Sequence, residues 1–236
     1  MSRQLFADHA IHVAPLLLGS YLSVDSDEGT VTLRITEVEA YHGVGTPGPY
    51  DAGSHSKDRK TDRNASMFGP PGHAYVYFSY GMHFALNLVC SPEGVASGCL
   101  IRGGEVVEGE AIASRRRIAK RHGTRITAPS SAVPGAPSTA PLSIPEITRS
   151  PVPAHAVARG PGNVATALGI TRETHDGQDL FAAPFQFESV EVSRAVSTGP
   201  RVGVSGVAGG PEFPWRFWLT GDPTVSAFRP GRGAPQ

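Results

Sequence analysis

The residues best suited to chemistry are concentrated in one stretch of the chain. Five of the six tyrosines lie between residues 41 and 80, and a carboxylate, Glu39, stands just before the first of them. Aromatic faces stack on flat groups and attract cations. Tyrosines, one acid and scattered basic residues together therefore predict a pocket for something flat that can carry charge.

A predicted hairpin positions Glu39 at this pocket. Residues 20–25 and 30–40 have the composition of strands, and residues 26–29 supply the turn between them. Alternation with a period of two predicts one shared face in the second strand, formed by Val31, Leu33, Ile35, Glu37 and Glu39. Because that face begins apolar and ends acidic, we expect Glu39 to be half-buried at the end of the strand.

The remaining elements are short and are separated by long loops. Helices are predicted at 4–18, with a break near Pro15, at 106–120, and in a short segment that ends at Gly169. Further strands are predicted at 74–79, 84–89, 98–102, 185–192, 201–204 and 215–219. A turn at 80–83, with Gly81 suited to its tight geometry, joins the first two of these strands. The loop at 41–64 is long enough to be functional.

The composition predicts one domain over residues 1–236. Of these residues 39% are apolar, which suffices for a single core, and the 28 glycines and 21 prolines indicate much loop. Residues 124–153 carry seven prolines and no aromatic residue, which predicts a disordered or polyproline-like insertion. The tail at 229–236 is predicted to be loose.

Charge and cysteine content narrow the function classes. The formal charge is zero, which argues against attraction to nucleic acid by bulk charge but allows a local basic face. Most basic residues are arginine, which suits phosphate recognition, although a GC-rich genome would produce the same bias. The two cysteines and the histidines show no metal-ligand spacing, and no signal peptide or membrane span is apparent. We therefore expect a cytoplasmic monomer with free thiols and without metal or cofactor.

Twelve short stretches carry further information through their order. They are Thr36–Tyr41, Ser54–Ser56, Arg63–Asn64, Met67–Phe68, Pro71–Gly72, Tyr75–Tyr77, Tyr80–Met82, Asn87, Leu100–Arg102, Gly160–Pro161, Arg201–Val204 and Arg216–Phe217. Each alone is a weak signal. Together, over residues 10–125 and 155–228, they resemble the alkyladenine (3-methyladenine) DNA glycosylase family.

This resemblance implies both a fold and an activity. The fold would be a single α+β domain, with a curved antiparallel β-sheet, a protruding hairpin and surrounding helices. The activity would be that of a base-excision repair enzyme that flips an alkylated purine out of double-stranded DNA and hydrolyses its N-glycosidic bond. Because no lysine is placed beside Glu39 to form a Schiff base, we expect a monofunctional glycosylase that leaves an abasic site. The lesion range beyond 3-methyladenine and 7-methylguanine stays open.

The resemblance places Glu39 at the position of the general base and Arg102 at that of the arginine that holds this carboxylate and its water. Hydrolysis of a C1′–N bond needs an activated water and support for an oxocarbenium-like sugar, and one carboxylate can serve both needs. A backbone carbonyl near Val202 or Val204 is expected to complete the water's shell. Spacing alone leaves an alternative, an ordinary exposed acid at Glu39 and a surface salt bridge at Arg102.

The resemblance also implies which residues hold the base and the DNA. The base pocket is expected at Tyr41, Gly53, His55, Tyr77, Asn87 and Leu100. The hairpin tip is expected to intercalate through the minor groove with Tyr80, Met82 and His83. DNA backbone contacts are expected from Lys57, Arg59, Lys60 and Arg63, and from the basic helix end at 115–121; the alternative for these is a solvated face. Tyr75 is expected to pack in the core.

Two other functions compete with a DNA glycosylase. A non-catalytic nucleic-acid binding module would keep the basic and aromatic residues but would not need Glu39 together with Arg102. A hydrolase of free nucleosides would need neither the Tyr80 wedge nor the basic loop. Comparing lesion-containing duplex DNA with the free nucleoside as substrate separates these alternatives.

Overall fold

The computed structural model describes residues 3–79, 81–121 and 152–236. Its strands are β1 (Tyr21–Val24), β2 (Val31–His42), β3 (Ala74–Ser79), β4 (His83–Val89), β5 (Ser97–Glu108), β6 (Ala158–Arg159), β7 (Phe185–Glu188), β8 (Val196–Gly199) and β9 (Arg216–Leu219). Within these residues they form one antiparallel sheet in the order β3-β4-β5-β2-β1-β7. The strand β6 pairs with β5, and β9 joins β2 to β8. The central strand β2 therefore touches three neighbours.

Helices cover this sheet and complete its core. They are α1 (Ala10–Leu17), α2 (Glu110–Arg121), α3 (Pro161–Leu168) and α4 (Arg172–His175). Short 3-10 helices lie at Arg3–Ala7, Ala65–Phe68, Ala154–Ala156 and Val207–Gly209. Apolar residues of α1, α3 and the central strands form one buried cluster, including Leu17, Ile35, Leu88 and Leu168. This arrangement confirms the predicted α+β class.

An irregularity in β2 overturns the predicted face of this strand. The pairing of β2 with β5 shifts between Ile35 and Val38, as at a β-bulge. Core-facing residues are odd-numbered before this shift and even-numbered after it: Val31, Leu33 and Ile35, then Val38 and Ala40. The prediction that Glu37 and Glu39 share the apolar face was wrong, because the bulge turns them to the opposite side. The prediction that Glu39 is half-buried was also wrong, since both carboxylates are fully buried.

Several predicted boundaries also need correction. The predicted helix at 106–120 begins later, because β5 continues to Glu108 and Gly109 turns the chain with a φ of 74°. The break predicted near Pro15 lies instead before α1, where His9 caps the helix. No strand forms at 201–204, because the buried Arg201 side chain and the Val202 amide bind other parts of the protein. The strand predicted at 185–192 ends at Glu188.

Strands β3 and β4 pair as a hairpin, and Gly81 between them has a φ of 65°. Tyr80 lies outside the described residues, as does nearly all of the insertion predicted at 124–153. The tail predicted to be loose accepts two backbone hydrogen bonds from the 203–206 segment, in which Gly203 donates to Arg229 and Gly206 donates to Arg232. In the part of the chain that the structure describes, no helix is both long and apolar enough to cross a membrane.

Candidate active site

A cavity of about 580 Å³ opens where β2, β3, β4 and β5 meet the loops at 43–64 and 200–210. All six residues predicted for the base pocket line it, together with the predicted catalytic arginine: Tyr41, Gly53, His55, Tyr77, Asn87, Leu100 and Arg102. The loop residues Val202 and Val204 close another side of the cavity. The structure therefore brings the predicted pocket residues together from five separate stretches of sequence, and the 202–204 loop adds a sixth.

Glu39 lies directly behind the wall of this cavity, with no exposed surface. Its oxygen Oε2 accepts a hydrogen bond of 2.8 Å from the Tyr41 hydroxyl, and Oε1 accepts one of 2.6 Å from the Val202 amide. The Arg102 guanidinium approaches both oxygens, at 3.4 Å from Oε1 and 3.5 Å from Oε2. Three different segments thus hold one carboxylate in a fixed orientation.

The protonation states of the groups around Glu39 favour this arrangement. Burial alone would lower the pKa of Arg102, but the charges of Glu39 and Glu37 outweigh it and raise the pKa, so the guanidinium stays charged. Burial, followed by the charge of Glu39, raises the pKa of Tyr41 well above its usual range. The Tyr41 hydroxyl therefore keeps its proton and donates a hydrogen bond to the carboxylate.

A second buried carboxylate, Glu37, orients Arg102 by binding its guanidinium. Its Oε1 accepts hydrogen bonds from Arg102 Nε at 3.1 Å and from Arg216 Nε at 2.7 Å. Ser226 donates its amide to Oε2 and its hydroxyl to Oε1, at 2.7 and 2.8 Å. Because charge-assisted bonds fix the guanidinium plane, Arg102 can point its outer nitrogen at Glu39.

Aromatic rings form the opposite side of the cavity. The His55 and Tyr77 rings meet edge to face, with centroids 4.5 Å apart, and His55 Nδ1 lies 3.2 Å from the Tyr75 hydroxyl. His55 is partly open to solvent, but desolvation lowers its pKa and the charge of Arg63 lowers it further. These shifts favour a neutral ring at pH 7.

Asn87 and Gly53 shape the remaining walls. The Asn87 side-chain nitrogen donates to the Tyr75 carbonyl at 3.2 Å, which fixes the orientation of an amide that is almost fully buried. A Cβ atom on Gly53 would lie 2.7 Å from Cγ1 of Val204 and 3.0 Å from Nη2 of Arg201. Only glycine allows the 43–64 loop to approach the 200–210 loop this closely.

The described residues predicted to contact DNA differ in their exposure and in their relation to the cavity. In the hairpin turn Met82 is 60% exposed, whereas His83 packs against the backbone of Gly162. Tyr80 cannot be placed, because it lies outside the described residues. Of the predicted backbone contacts, Lys57, Arg59 and Lys60 are exposed on the 43–64 loop, and Arg63 lines the cavity itself.

Sequence reasoning missed several residues of the site. Tyr75 is buried as predicted, but it also lines the cavity, and alternation with Tyr77 along β3 could have indicated this. Met67 and Pro161 also line the cavity; both belong to stretches that carry the family resemblance, but neither was predicted to have a role. Arg201 is also part of the site, because it binds the loop that carries Gly53. Within the described ranges, no three acidic, histidine or cysteine residues form a group that could hold a metal ion.

An aromatic cavity backed by a buried, arginine-held carboxylate is the kind of site found in enzymes that cleave glycosidic bonds to a flat base. Comparisons with known proteins agree. The family described as methylpurine-DNA glycosylase (MPG) matches residues 4–223. A relative from Leifsonia xyli subsp. xyli, provisionally named a 3-methyladenine DNA glycosylase, is 45% identical over 96% of this chain and 92% of its own length.

Two further relatives carry the same provisional name. One from Streptomyces avermitilis is 41% identical over 97% of this chain and 92% of its own length. One from Rhodococcus jostii is 43% identical over 93% of this chain and 81% of its own length. The chain therefore belongs to the methylpurine-DNA glycosylase family. It is a DNA repair enzyme, a DNA glycosylase, and its substrate is DNA.

Proposed function

We propose that this enzyme is a monofunctional glycosylase that flips a damaged purine out of duplex DNA and hydrolyses its N-glycosidic bond with a water activated by Glu39. The observation that carries the proposal is the position of the Glu39 carboxylate, buried behind an aromatic cavity and held by Tyr41, Val202 and Arg102. Glu39 would act as general base and would also sit near the positive charge that develops on the sugar.

Water activation requires a free acceptor position on Glu39. Each carboxylate oxygen can accept more than one hydrogen bond. The Val202 amide and the Tyr41 hydroxyl each occupy one such position, and the contacts to Arg102 are longer. A water between Glu39 and the sugar would then find a carbonyl partner in the 202–204 segment. Val202 is the stronger candidate, because its own amide already lies on Glu39.

The aromatic walls favour purines that carry positive charge. Tyr41 and Tyr77 offer ring faces to a flat base, and a cation over such a face gains roughly 0.5–2 kcal/mol. The bases 3-methyladenine and 7-methylguanine are cationic as nucleosides and are good leaving groups, so they need little acid catalysis. Neutral hypoxanthine or ethenoadenine would need protonation as they leave. Asn87 would exclude guanine, whose 2-amino group would collide with its fixed amide.

Base flipping would use the hairpin between β3 and β4. Extruding a base costs a few kcal/mol, less when the base is damaged or mispaired. The exposed Met82 at the turn would enter the minor groove together with Tyr80, and Tyr80 would fill the space that the base leaves. His83 would fix this wedge to α3, since the His83 ring at the start of β4 lies against Gly162 of α3.

Base release in single-turnover experiments tests this proposal. We expect the enzyme to release 7-methylguanine from a duplex with one such lesion, and to release hypoxanthine or ethenoadenine if its pocket accepts neutral bases. Strand breaks should appear only after alkali, because no lysine lines the described cavity. An undamaged duplex and the free nucleoside are the controls. Release from the nucleoside at the rate seen with duplex DNA would favour a nucleoside hydrolase instead.

The structure also divides the basic helix end into two groups. Arg115 and Arg116 are paired with Glu28, at 2.8 and 2.7 Å. Among the described residues no ion pair involves Lys120 or Arg121. The pKa of Lys120 is lowered by burial and then by the charge of nearby Arg117. Because Lys120 lies near a like charge and makes no ion pair with a described residue, we assign a DNA phosphate contact to Lys120 rather than to Arg115.

Changing these two residues separately should reveal the difference. For Lys120→Gln we expect weaker binding to any duplex. The slope of the logarithm of the binding constant against the logarithm of the salt concentration should be smaller in magnitude by about 0.9, which corresponds to the loss of one phosphate contact. Arg115→Gln removes the same charge from the same helix, but it should leave the slope unchanged because that arginine is held in an ion pair with Glu28 rather than on a phosphate. Fluorescence anisotropy across a salt series measures both slopes. Equal slopes for the two variants would contradict the assignment.

A further inference from the structure

Arg201 is a large, fully buried side chain that lies directly behind the wall of the base pocket. It does not face the cavity, although the next four residues, 202–205, all line it. Its guanidinium carbon lies 4.4 Å from the centre of the Tyr41 ring and 4.9 Å from that of Trp215. One face of Tyr41 is therefore covered by a cation, and only the other face is available to a flipped base.

The same guanidinium ties together three segments that build the pocket. Nη1 donates to the Ala40 carbonyl at 3.0 Å, at the end of β2. Both outer nitrogens bind the Asp51 carboxylate, at 2.8 and 2.6 Å, in the loop that carries Gly53. Nη2 also donates to the Ala208 carbonyl at 3.0 Å. A change in Arg201 would therefore move Tyr41 and the pocket loop together.

We propose that Arg201 is a positioning and specificity-determining residue whose charge, balanced by Asp51, sets how strongly the pocket prefers cationic over neutral lesions. This inference rests on the proposed glycosylase activity. A ring attracts a cation through its negative face, and a second cation on the opposite face opposes that attraction. The Asp51 carboxylate offsets part of the Arg201 charge, so the pair together determines how strongly the free face of Tyr41 attracts a cationic base.

Two variants should shift this preference in opposite directions. Asp51→Asn is nearly isosteric and leaves the Arg201 charge less balanced, so it should lower the release of cationic 7-methylguanine relative to neutral hypoxanthine or ethenoadenine. Asp51→Asn combined with Arg201→Met removes both charges, so it should raise that ratio. We expect a change of about threefold in each direction, the lower range for a cation beside an aromatic face. Single-turnover release of each base, at one pH, gives the ratio.

The ratio separates specificity from general damage to the fold. A loss of pocket geometry, or a change at Glu39, slows release of every lesion and largely cancels in the ratio. Glu28→Gln, alone and with Arg116→Met, is the matched control, because Arg116 is also buried and bound to a carboxylate and a carbonyl, but lies outside the cavity. These controls should leave the ratio unchanged.

The outcomes also separate this inference from the proposed function. If the wild type releases the bases but neither Asp51 variant changes the ratio, or both change it in the same direction, the role of Arg201 is overturned. If the wild type releases no base, the glycosylase proposal fails first, and the inference with it. Should the double variant not fold, Asp51→Asn alone still tests the direction of the change. A rise in the release of 7-methylguanine relative to the neutral bases would contradict the proposal.

Discussion

Glu39→Gln is expected to lower single-turnover base release by roughly a hundredfold or more, the scale of general-base catalysis. Glutamine keeps the size of the side chain and one acceptor oxygen, so the hydrogen bond from Val202 or Tyr41 can persist. It cannot take a proton from water, and it removes the charge that faces Arg102. The loss should appear with each lesion that the wild type accepts, measured with enzyme in excess over duplex.

Binding must be measured beside the rate in this experiment. We expect Glu39→Gln to hold lesion-containing duplex about as tightly as the wild type, because the carboxylate has no exposed surface and contributes no wall to the cavity. Glu105→Gln, at a half-exposed acid that is paired with Arg34 and does not line the cavity, is the control and should retain full activity. Undiminished release by Glu39→Gln would assign water activation to another group. Tight binding without release in the wild type would indicate a damage-binding protein.

The sequence predicted the elements whose patterns are local. The hairpin of β3 and β4 was located closely because alternating aromatic and apolar residues flank Gly81. The β2 face was predicted incorrectly after Ile35, because a bulge depends on pairing with β5 and leaves no mark in the alternation itself. A continuous period therefore described only the first half of the strand.

The candidate site shows the same contrast between what local sequence motifs indicate and what depends on long-range contacts. The order of short motifs indicated Glu39, Arg102 and the pocket residues, and the structure brings all of these together. Glu37 and Arg201 were not assigned roles, because their partners are distant in the sequence. The hydrogen-bond partners of Glu37 lie 65 to 189 residues away. Two partners of Arg201, Asp51 and Ala40, lie 150 and 161 residues away. Such partners become visible only when the chain has folded.

Glu37→Gln is expected to have the largest effect on stability. It leaves Arg102 and Arg216 buried without the carboxylate that binds both, and removing one partner of a buried ion pair costs about 3–5 kcal/mol. For a chain of this size that loss corresponds to a decrease in Tm of roughly 6–20 °C. Thermal and urea unfolding, followed by circular dichroism, measure it. Glu105→Gln breaks only a half-exposed pair with Arg34 and should cost less than about 1 kcal/mol.

Glu37→Gln should also slow base release at temperatures where it remains folded, because Arg102 is then no longer fixed beside Glu39. A double-mutant cycle distinguishes this effect from general loosening of the fold. If Glu37 acts on the reaction through Arg102 and Glu39, its substitution should slow the wild type but add little further loss in a Glu39→Gln background. Equal losses in both backgrounds would mean that Glu37 supports the fold alone, and that Arg102 is oriented by Ser226 and Glu39 without it.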